Sequence, residues 1–479
     1  VLPRVVVTIA VEDMATARRD CLRIPASVYA VELRCDYSST ISVDQVAELM
    51  ALIHVPCIIT LRPVRQGGHF KGREVDRIAL LTSLLSLKPQ YMDMEYDVSG
   101  DVLERFKSLS PTTQFIRSYH DLSGSPDDLS AIIASMYHPA VFLYKLVTTA
   151  KSSIDTLKML CCVQAHTAEH DFIGHCMGED GFFGRIAGAV LGNYWTYASL
   201  DQSSAVLQHM PSMSALERTY RLLRRTIGCD LYALIGDPVE ASVGHEFHNE
   251  RFAMLQQSAL YLKIRLQAHE CAEFFRVIQP LPFRGISVTM PLKQTVMEYV
   301  DVTANCLAVN TLTRQDTNWY GSNTDGQGAV KTILARHALR GKKVWVLGCG
   351  GAGLAIVQAL IEQGAEVTVI NRTLHPVLQK LPINVCQWSD AIDYSTQIVD
   401  GVIYALPSKV MNDRAIESVV MQLLKHRPWV LDCNYPATQQ QLAQRCIQVG
   451  CVYLSGEQFF EQQAIAQSEH WLEAIHLDS

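Results

Sequence analysis

The stretch that most constrains this chain is 344–373, VWVLGCGGAGLAIVQALIEQGAEVTVINRT. An apolar run at 344–347 leads directly into Gly348-x-Gly350-x-x-Gly353, with Gly351 and Ala352 inside the glycine turn. A helical pattern covers 354–362, Gly364 interrupts it, and a second apolar run follows at 367–370. Strand, glycine turn, helix and strand at this spacing form a βαβ unit that can cradle a dinucleotide. The glycines turn the chain off the strand, let backbone approach a pyrophosphate, and allow the helix to pack closely on the sheet. Free N–H groups and the dipole at the helix N-terminus favour the phosphates.

The second run ends in Asn371-Arg372-Thr373. An acidic residue here would hold the ribose hydroxyls of NAD, whereas an arginine suits a 2′-phosphate. The expected cofactor is therefore NADP, with Arg372 on the phosphate and Asn371 and Thr373 as hydrogen-bonding neighbours.

More than 340 residues precede this unit in a chain of 479, so another module must lie upstream; length alone favours about three domains. Short apolar runs recur there at 5–11, 28–33, 57–61, 91–94, 114–119, 141–147, 171–175 and 194–198. Helical patterns at 43–52, 73–85, 126–136 and 153–162 alternate with them. Eight such alternations within about 210 residues predict a (β/α)8 TIM barrel. A net charge of −7 argues against nucleic acid as a partner. Charged residues interrupt every apolar run before membrane-spanning length. No signal-peptide pattern opens the sequence. The fourteen cysteines are scattered without zinc spacing, which fits free thiols in a reducing cytoplasm.

In a barrel, chemistry collects at the C-terminal ends of strands. The second run ends Glu32-Leu33-Arg34, and a period of two turns both charges inward. Arg62 ends the third, His120 follows the fifth, Lys145 lies inside VFLYKLV, Arg185 ends MGEDGFFGR, and Ser204 and Gln208 follow the eighth. For any single lysine or histidine, a solvated strand end or a satisfied structural ring is the commoner role. Together, Lys145 and His120 make a candidate imine-forming amine and base. Burial and the cations Arg62 and Arg185 are expected to depress the Lys145 pKa; the arginines would hold a carboxylate.

These motifs (ELR, TLRP…GG, SYHD, the strand lysine, MGEDG…R and SAxxQ) resemble type I 3-dehydroquinate dehydratase over about residues 1–210. The resemblance implies that Lys145 forms an imine with the substrate ketone and that His120 takes the C2 proton. It also implies that Glu32, Arg34, Arg62, Arg185, Ser204 and Gln208 bind hydroxyls and carboxylate. Two positions depart from the pattern: Gln66 stands where a glutamate is usual, and Val206-Leu207 where Pro-Gly is usual.

Residues 209–228 lack a strand pattern, so the junction falls here, as a terminal barrel helix around 215–223 or as a free linker. A new strand-then-helix pattern begins at Asp230, the helix running to about 259. Farther on, polar residues collect at the ends of apolar runs: Ser287, Thr289 and Lys293, then Asn310, then Asp325. Lys293 and Asp325 are a candidate acid–base dyad, or alternatively a surface ion pair. A nicotinamide cleft next to them favours the dyad.

Residues 229–479 resemble shikimate dehydrogenase. The resemblance implies that Lys293 and Asp325 are catalytic and that Ser242, Ser287, Thr289, Asn310, Tyr435 and Gln463 bind the substrate. The usual SxSP reads Ser242-Val243-Gly244-His245 here, with His245 a candidate replacement, and Pro376 occupies the place of a second phosphate-binding arginine.

The expected architecture is a dehydratase barrel at 1–210, then a substrate domain at 229–328 completed by about 452–479, then a Rossmann domain at 329–451. The implied function is bifunctional: dehydration of 3-dehydroquinate, then NADPH-dependent reduction of 3-dehydroshikimate to shikimate. NADP is the expected cofactor, without a metal or prosthetic group. The partners are small molecules rather than nucleic acid or membrane, in a cytoplasmic monomer or homodimer. Competing readings are a non-catalytic ligand-binding regulator, an NAD-linked quinate oxidase, and class I aldolase chemistry on the barrel.

Overall fold

The computed structural model describes residues 1–167, 170–201, 209–302, 306–373, 376–388, 390–391, 398–407, 410, 413–435 and 440–477. They divide into two compact units. One comprises 1–231 with 249–266 and 272–283; the other comprises 232–248, 267–271 and 284–479.

The first unit contains all eight expected strands: β1 (Val5–Ala10), β2 (Ala30–Arg34), β3 (Cys57–Thr60), β4 (Tyr91–Glu95), β5 (Gln114–His120), β6 (Val141–Thr149), β7 (Phe172–Met177) and β8 (Thr196–Ala198). They form one parallel sheet in the order β7-β6-β5-β4-β3-β2-β1-β8. At its two ends the Tyr194 N–H donates to the Phe172 carbonyl at 2.9 Å, so the sheet curls into a near-closed barrel. Helices follow the strands; Val43–Leu52, for example, starts in a capping box in which Ser42 and Gln45 satisfy each other's backbone N–H.

The sequence pattern of the strands accounts for the interior. Val6, Ala30, Ile58, Tyr91, Ile116, Leu143, Ile173 and Trp195 pack as one apolar plug, each such side chain stabilising the fold by about 2 kcal/mol on burial. Two residues farther along seven of these strands stand Thr8, Glu32, Thr60, Asp93, Ser118, Lys145 and His175, all buried. Because side chains alternate along a strand, this second set points inward as well. The barrel is therefore dry at one level and polar at the next.

The junction is neither of the expected alternatives. A π turn at Ala215–Thr219 and a 3-10 turn at Leu222–Arg224 bury Leu216, Tyr220 and Leu222. A regular helix is absent from the described junction, and buried apolar side chains pin the segment down.

The helix expected to reach about 259 ends at Met254, and Ala259–Arg265 is a strand, β10, after β9 (Asp230–Gly236). Gln256 takes a φ of +53° and turns the chain. A glutamine in that conformation leaves no mark in the sequence.

In the second unit, β9, β11 (Phe283–Val288), β13 (Thr311–Gln315), β14 (Asn318–Ser322) and β12 (Asp301–Val302) lie side by side in that order. The nucleotide fold follows: β15 (Lys343–Leu347), β16 (Glu366–Asn371), β17 (Asn384–Gln387), β18 (Gly401–Tyr404), β19 (Trp429–Asp432) and β20 (Val452–Leu454). They are parallel throughout, in the order β17-β16-β15-β18-β19-β20. That is the doubly wound Rossmann order, which leaves a crevice where the winding reverses. Val344 and Val346 enter one apolar core and Trp345 and Leu347 the other, as a central strand covered on both faces requires. The helix Asp325–Leu334 packs against the final helix Gly456–Leu477, where a Cβ on Gly328 would lie 2.6 Å from that of Gln463.

Candidate active sites

In the barrel, Lys145 sits opposite Ser118 in the β5–β6 register, and His120 follows two residues beyond. Lys145 is 4% exposed. Its Nζ lies 3.1 Å from Asp93 Oδ2, 3.7 Å from Glu32 Oε1, and 4.3 Å from the centre of the Tyr197 ring. Glu32 is held by the hydroxyls of Thr8 (2.9 Å) and Thr60 (2.8 Å).

This geometry corrects one expectation. Burial does act to lower the Lys145 pKa, but Tyr197, Asp93 and Glu32 outweigh it and Arg62 together, and the pKa is raised. The apolar flanks of Lys145 along β6 conceal the carboxylates that β4 and β2 bring to it across the barrel. The resting group is an ammonium ion.

His120 is half-buried. Burial first, then Arg62, Lys145, His175 and Arg34, push its pKa well below 6.5, so the ring is neutral at neutral pH. Arg62 Nη1 approaches its Nδ1 at 3.3 Å. A guanidinium only donates, so Nδ1 is the acceptor and the resting ring proton is assigned to Nε2. Gln66 is buried, and its Oε1 accepts the backbone N–H of His120 at 2.9 Å.

The three barrel arginines differ. Arg34 forms a bidentate pair with Asp36 at 2.9 and 2.8 Å. Arg62 reaches Asp93 at 2.7 Å and Glu95 at 3.2 Å. Arg185 is 8% exposed, and its Nε has no hydrogen-bond partner among the described residues; burial brings its pKa down to about 10. It is thus the arginine with capacity left for an incoming anion. Ser204 and Gln208 lie outside the described residues, as do Val206 and Leu207.

In the second unit, Lys293 Nζ meets Asp325 Oδ2 at 2.5 Å. Asn310 donates to Asp325 Oδ1 at 2.9 Å and to Thr324 Oγ1 at 3.1 Å, and accepts from Thr311 Oγ1 at 2.7 Å and Thr324 N–H at 2.8 Å. Its amide is filled by protein partners. Ser287 is buried beside Thr311 in the β11–β13 register and donates to Gln467 Oε1 at 3.0 Å; Gln467 Nε2 donates to the Asn310 carbonyl at 3.0 Å. Ser242 accepts from Gly244 N–H at 3.2 Å in the turn leading to the helix Gly244–Met254, the stretch that includes His245. Thr289 lies against Gly236. Tyr435 stacks on Phe460 with ring centroids 4.5 Å apart. Gln463 lies on the final helix against Gly328, which follows Asp325 by three residues, and has no described contact to the dyad.

The glycine turn fits a dinucleotide. Gly348 has a φ of +92°, where a side chain would be strained, and a Cβ on Gly353 would come within 2.5 Å of the Gly348 carbonyl. Space beside Gly350 is open. Gly351 and Ala352 open the helix Gly351–Glu362, and a Cβ on Gly351 would lie 2.9 Å from Lys293 Cδ, so the phosphate turn and the dyad lie together. Asn371 accepts the Cys349 N–H at 3.3 Å and donates to the Thr373 carbonyl at 2.9 Å. Arg372 and Thr373 are exposed, as is Pro376.

Sequence reading missed Asp93, Glu95 and Arg77 in the barrel, and Thr311, Thr324 and Gln467 in the second unit. YMDME carried a usable signal: carboxylates at alternate positions of an otherwise apolar strand must face a common side and find cations there.

A type I 3-dehydroquinase model matches 5–227, a shikimate dehydrogenase substrate binding domain model matches 234–312, and an NAD(P)-binding model matches 335–439. The chain belongs to the bifunctional type I 3-dehydroquinate dehydratase/shikimate dehydrogenase family. It is similar to the shikimate biosynthesis protein AroDE of Chlamydia pneumoniae, with 27% identity covering 97% of this chain and 94% of that protein. The chloroplastic bifunctional 3-dehydroquinate dehydratase/shikimate dehydrogenase of Arabidopsis thaliana is 26% identical, covering 92% of this chain and 77% of that one. Shikimate dehydrogenase (NADP(+)) of Syntrophobacter fumaroxidans is 29% identical over 52% of this chain and 89% of its own. A barrel with a buried lysine and a Rossmann unit with a lysine–aspartate pair share one chain. Among the described residues no helix is long and apolar enough to cross a membrane.

Proposed function

We propose that this bifunctional member dehydrates 3-dehydroquinate at Lys145 and then reduces 3-dehydroshikimate to shikimate with NADPH at Lys293 and Asp325. The observation that carries this reading is that each unit presents a lysine held by an aspartate at its polar centre, 3.1 Å apart in one and 2.5 Å in the other.

In the barrel, Lys145 condenses with the substrate ketone, and the resulting cation acidifies the adjacent C–H. The neutral His120 ring takes that proton. Arg185 binds the carboxylate, with Ser204 and Gln208 as further ligands. Glu32 and Arg34 face the hydroxyls. Arg62, already spent on Asp93 and Glu95, orients His120.

In the second unit, Gly348, Gly350, Gly351, Ala352 and Gly353 would hold the pyrophosphate of the dinucleotide, Asn371 and Thr373 the ribose end, and Arg372 the 2′-phosphate, and the bound nicotinamide would supply the hydride. Lys293 gives a proton to the oxygen of the reduced carbonyl, and Asp325 holds the ammonium in line. Ser242, Ser287, Thr289, Tyr435 and Gln463 surround the substrate, while Asn310 acts through Asp325.

In this reading the modules run 1–210, 229–328 with about 452–479, and 329–451. All fourteen cysteines are free thiols, which supports a reducing, cytoplasmic setting. The deciding experiment supplies 3-dehydroquinate and NADPH to the purified chain and follows NADPH absorbance. Consumption dependent on both lysines is expected; absence of consumption, or borohydride labelling away from Lys145, overturns the reading.

A further inference from the structure

The carboxylate that holds Lys145 in the barrel takes no bond-making step in the dehydration. Asp93 is fully buried and accepts on both oxygens: Oδ2 from Arg62 Nη2 (2.7 Å) and Lys145 Nζ (3.1 Å), Oδ1 from Ser118 Oγ (2.5 Å). Arg62 is itself held by Glu95 at 3.2 Å and Ser118 at 2.9 Å, and Glu95 by Arg77 at 2.5 Å. Asp93 is therefore fixed from three sides, and Lys145 is fixed by it. Glu32, at 3.7 Å, is the more distant carboxylate.

We propose that Asp93 is a positioning residue of the dehydration, anchoring the Lys145 amine and governing the pH at which that amine becomes a nucleophile. The proposal rests on the reading of Lys145 as the imine-forming group.

The chemistry needs such a group. Imine formation converts the ammonium ion and the ketone into a protonated imine and one water: C=O breaks, C=N forms, and two ammonium hydrogens leave with the oxygen. Attack requires a lone pair, so one proton must leave Nζ first and return to the carbinolamine oxygen. A carboxylate at Nζ opposes that departure and stabilises the cationic imine that follows, which is differential binding of the later species. The other charged or titratable groups facing Nζ are Glu32 on β2, Arg62 beyond β3, His120 on β5, His175 on β7, Tyr197 on β8, and Arg185. Asp93, unlike these, accepts a hydrogen bond from Nζ, at 3.1 Å. Burial, opposed and overcome by Arg62, Lys145 and Ser118, leaves its own pKa at about 2, so it stays charged across the working range.

The test is Asp93→Asn in the full chain. Borohydride trapping of Lys145 with 3-dehydroquinate is measured against pH, with near-UV circular dichroism and the thermal unfolding profile of the same preparation reporting that the barrel is folded. The acid limb of trapping is expected to move to lower pH by about one unit or more while kcat falls. A limb that stays at the wild-type position overturns the proposal. Ser118→Ala keeps every charge but releases Oδ1, and should lower dehydratase kcat/KM several-fold without moving the limb; an unchanged kcat/KM there also overturns it, and decides alone if Asp93→Asn does not fold. Failure to trap the wild-type chain removes the imine reading itself, and the proposal with it.

Discussion

Asn310 holds Asp325: its amide nitrogen donates at 2.9 Å to the carboxylate oxygen that Lys293 does not occupy. All four hydrogen-bonding positions of the Asn310 amide are engaged by the protein. Asn310→Ala leaves a buried carboxylate oxygen and the Thr324 N–H without this partner, at a cost of about 1–3 kcal/mol. Shikimate oxidation should lose about tenfold or more in kcat, with a lowered Tm. A change confined to the KM for shikimate would instead make Asn310 a direct ligand.

The two lysines should fail independently. Lys293→Met removes the proton donor and should cost about 10²–10⁴-fold in shikimate dehydrogenase kcat, leaving dehydratase activity at the wild-type level. Lys145→Ala should abolish dehydration and spare the second activity. Assays with 3-dehydroquinate alone and with shikimate and NADP separate the two. Loss of both activities from one substitution would contradict independent sites.

Cofactor choice should reside in Arg372, exposed at the end of β16. Removing a charge-assisted contact to a phosphate is worth about 1–3 kcal/mol. Arg372→Ser should therefore lower kcat/KM for NADPH by about 10–100-fold and leave NADH nearly unchanged. Equal losses with both cofactors would reassign the side chain to a structural role.

The architecture was legible because its signals are local. Eight strand–helix alternations and the 344–373 turn follow from residue order and spacing, whereas the Lys293–Asp325 pair needed the neighbouring cleft and the family resemblance to separate it from a surface ion pair. The character of Lys145 was not legible. Its neighbours in sequence are apolar, and the groups that govern it come from β4 and β2, far along the chain and adjacent only after the barrel curls. The same reason hid Arg62, read as a substrate clamp although Asp93 and Glu95 already occupy it. The end of the Gly244–Met254 helix was hidden for a local reason: it depends on the positive φ of Gln256 rather than on a glycine or proline.

Gln66 offers the sharpest test of how the barrel sets its base. His120 must be unprotonated to accept a proton from carbon, and burial with Arg62, Lys145, His175 and Arg34 holds its pKa below 6.5, so the acid limb of dehydratase kcat/KM should lie below that pH. Gln66 is neutral and touches the His120 backbone at 2.9 Å. Gln66→Glu places a negative charge at that contact, which favours imidazolium and should move the limb to higher pH by about one unit. The sign for stability follows from linkage. A histidine whose folded pKa lies below its unfolded value takes up protons more readily when unfolded. Stability is therefore lost as pH falls through 6.5 towards the folded pKa, at about 1.4 kcal/mol per pH unit for one such ring. Raising the folded pKa with Gln66→Glu narrows that window, so the variant's Tm should fall less steeply with acid than that of the wild type. A pH profile identical to wild type would assign the limb to a group other than His120.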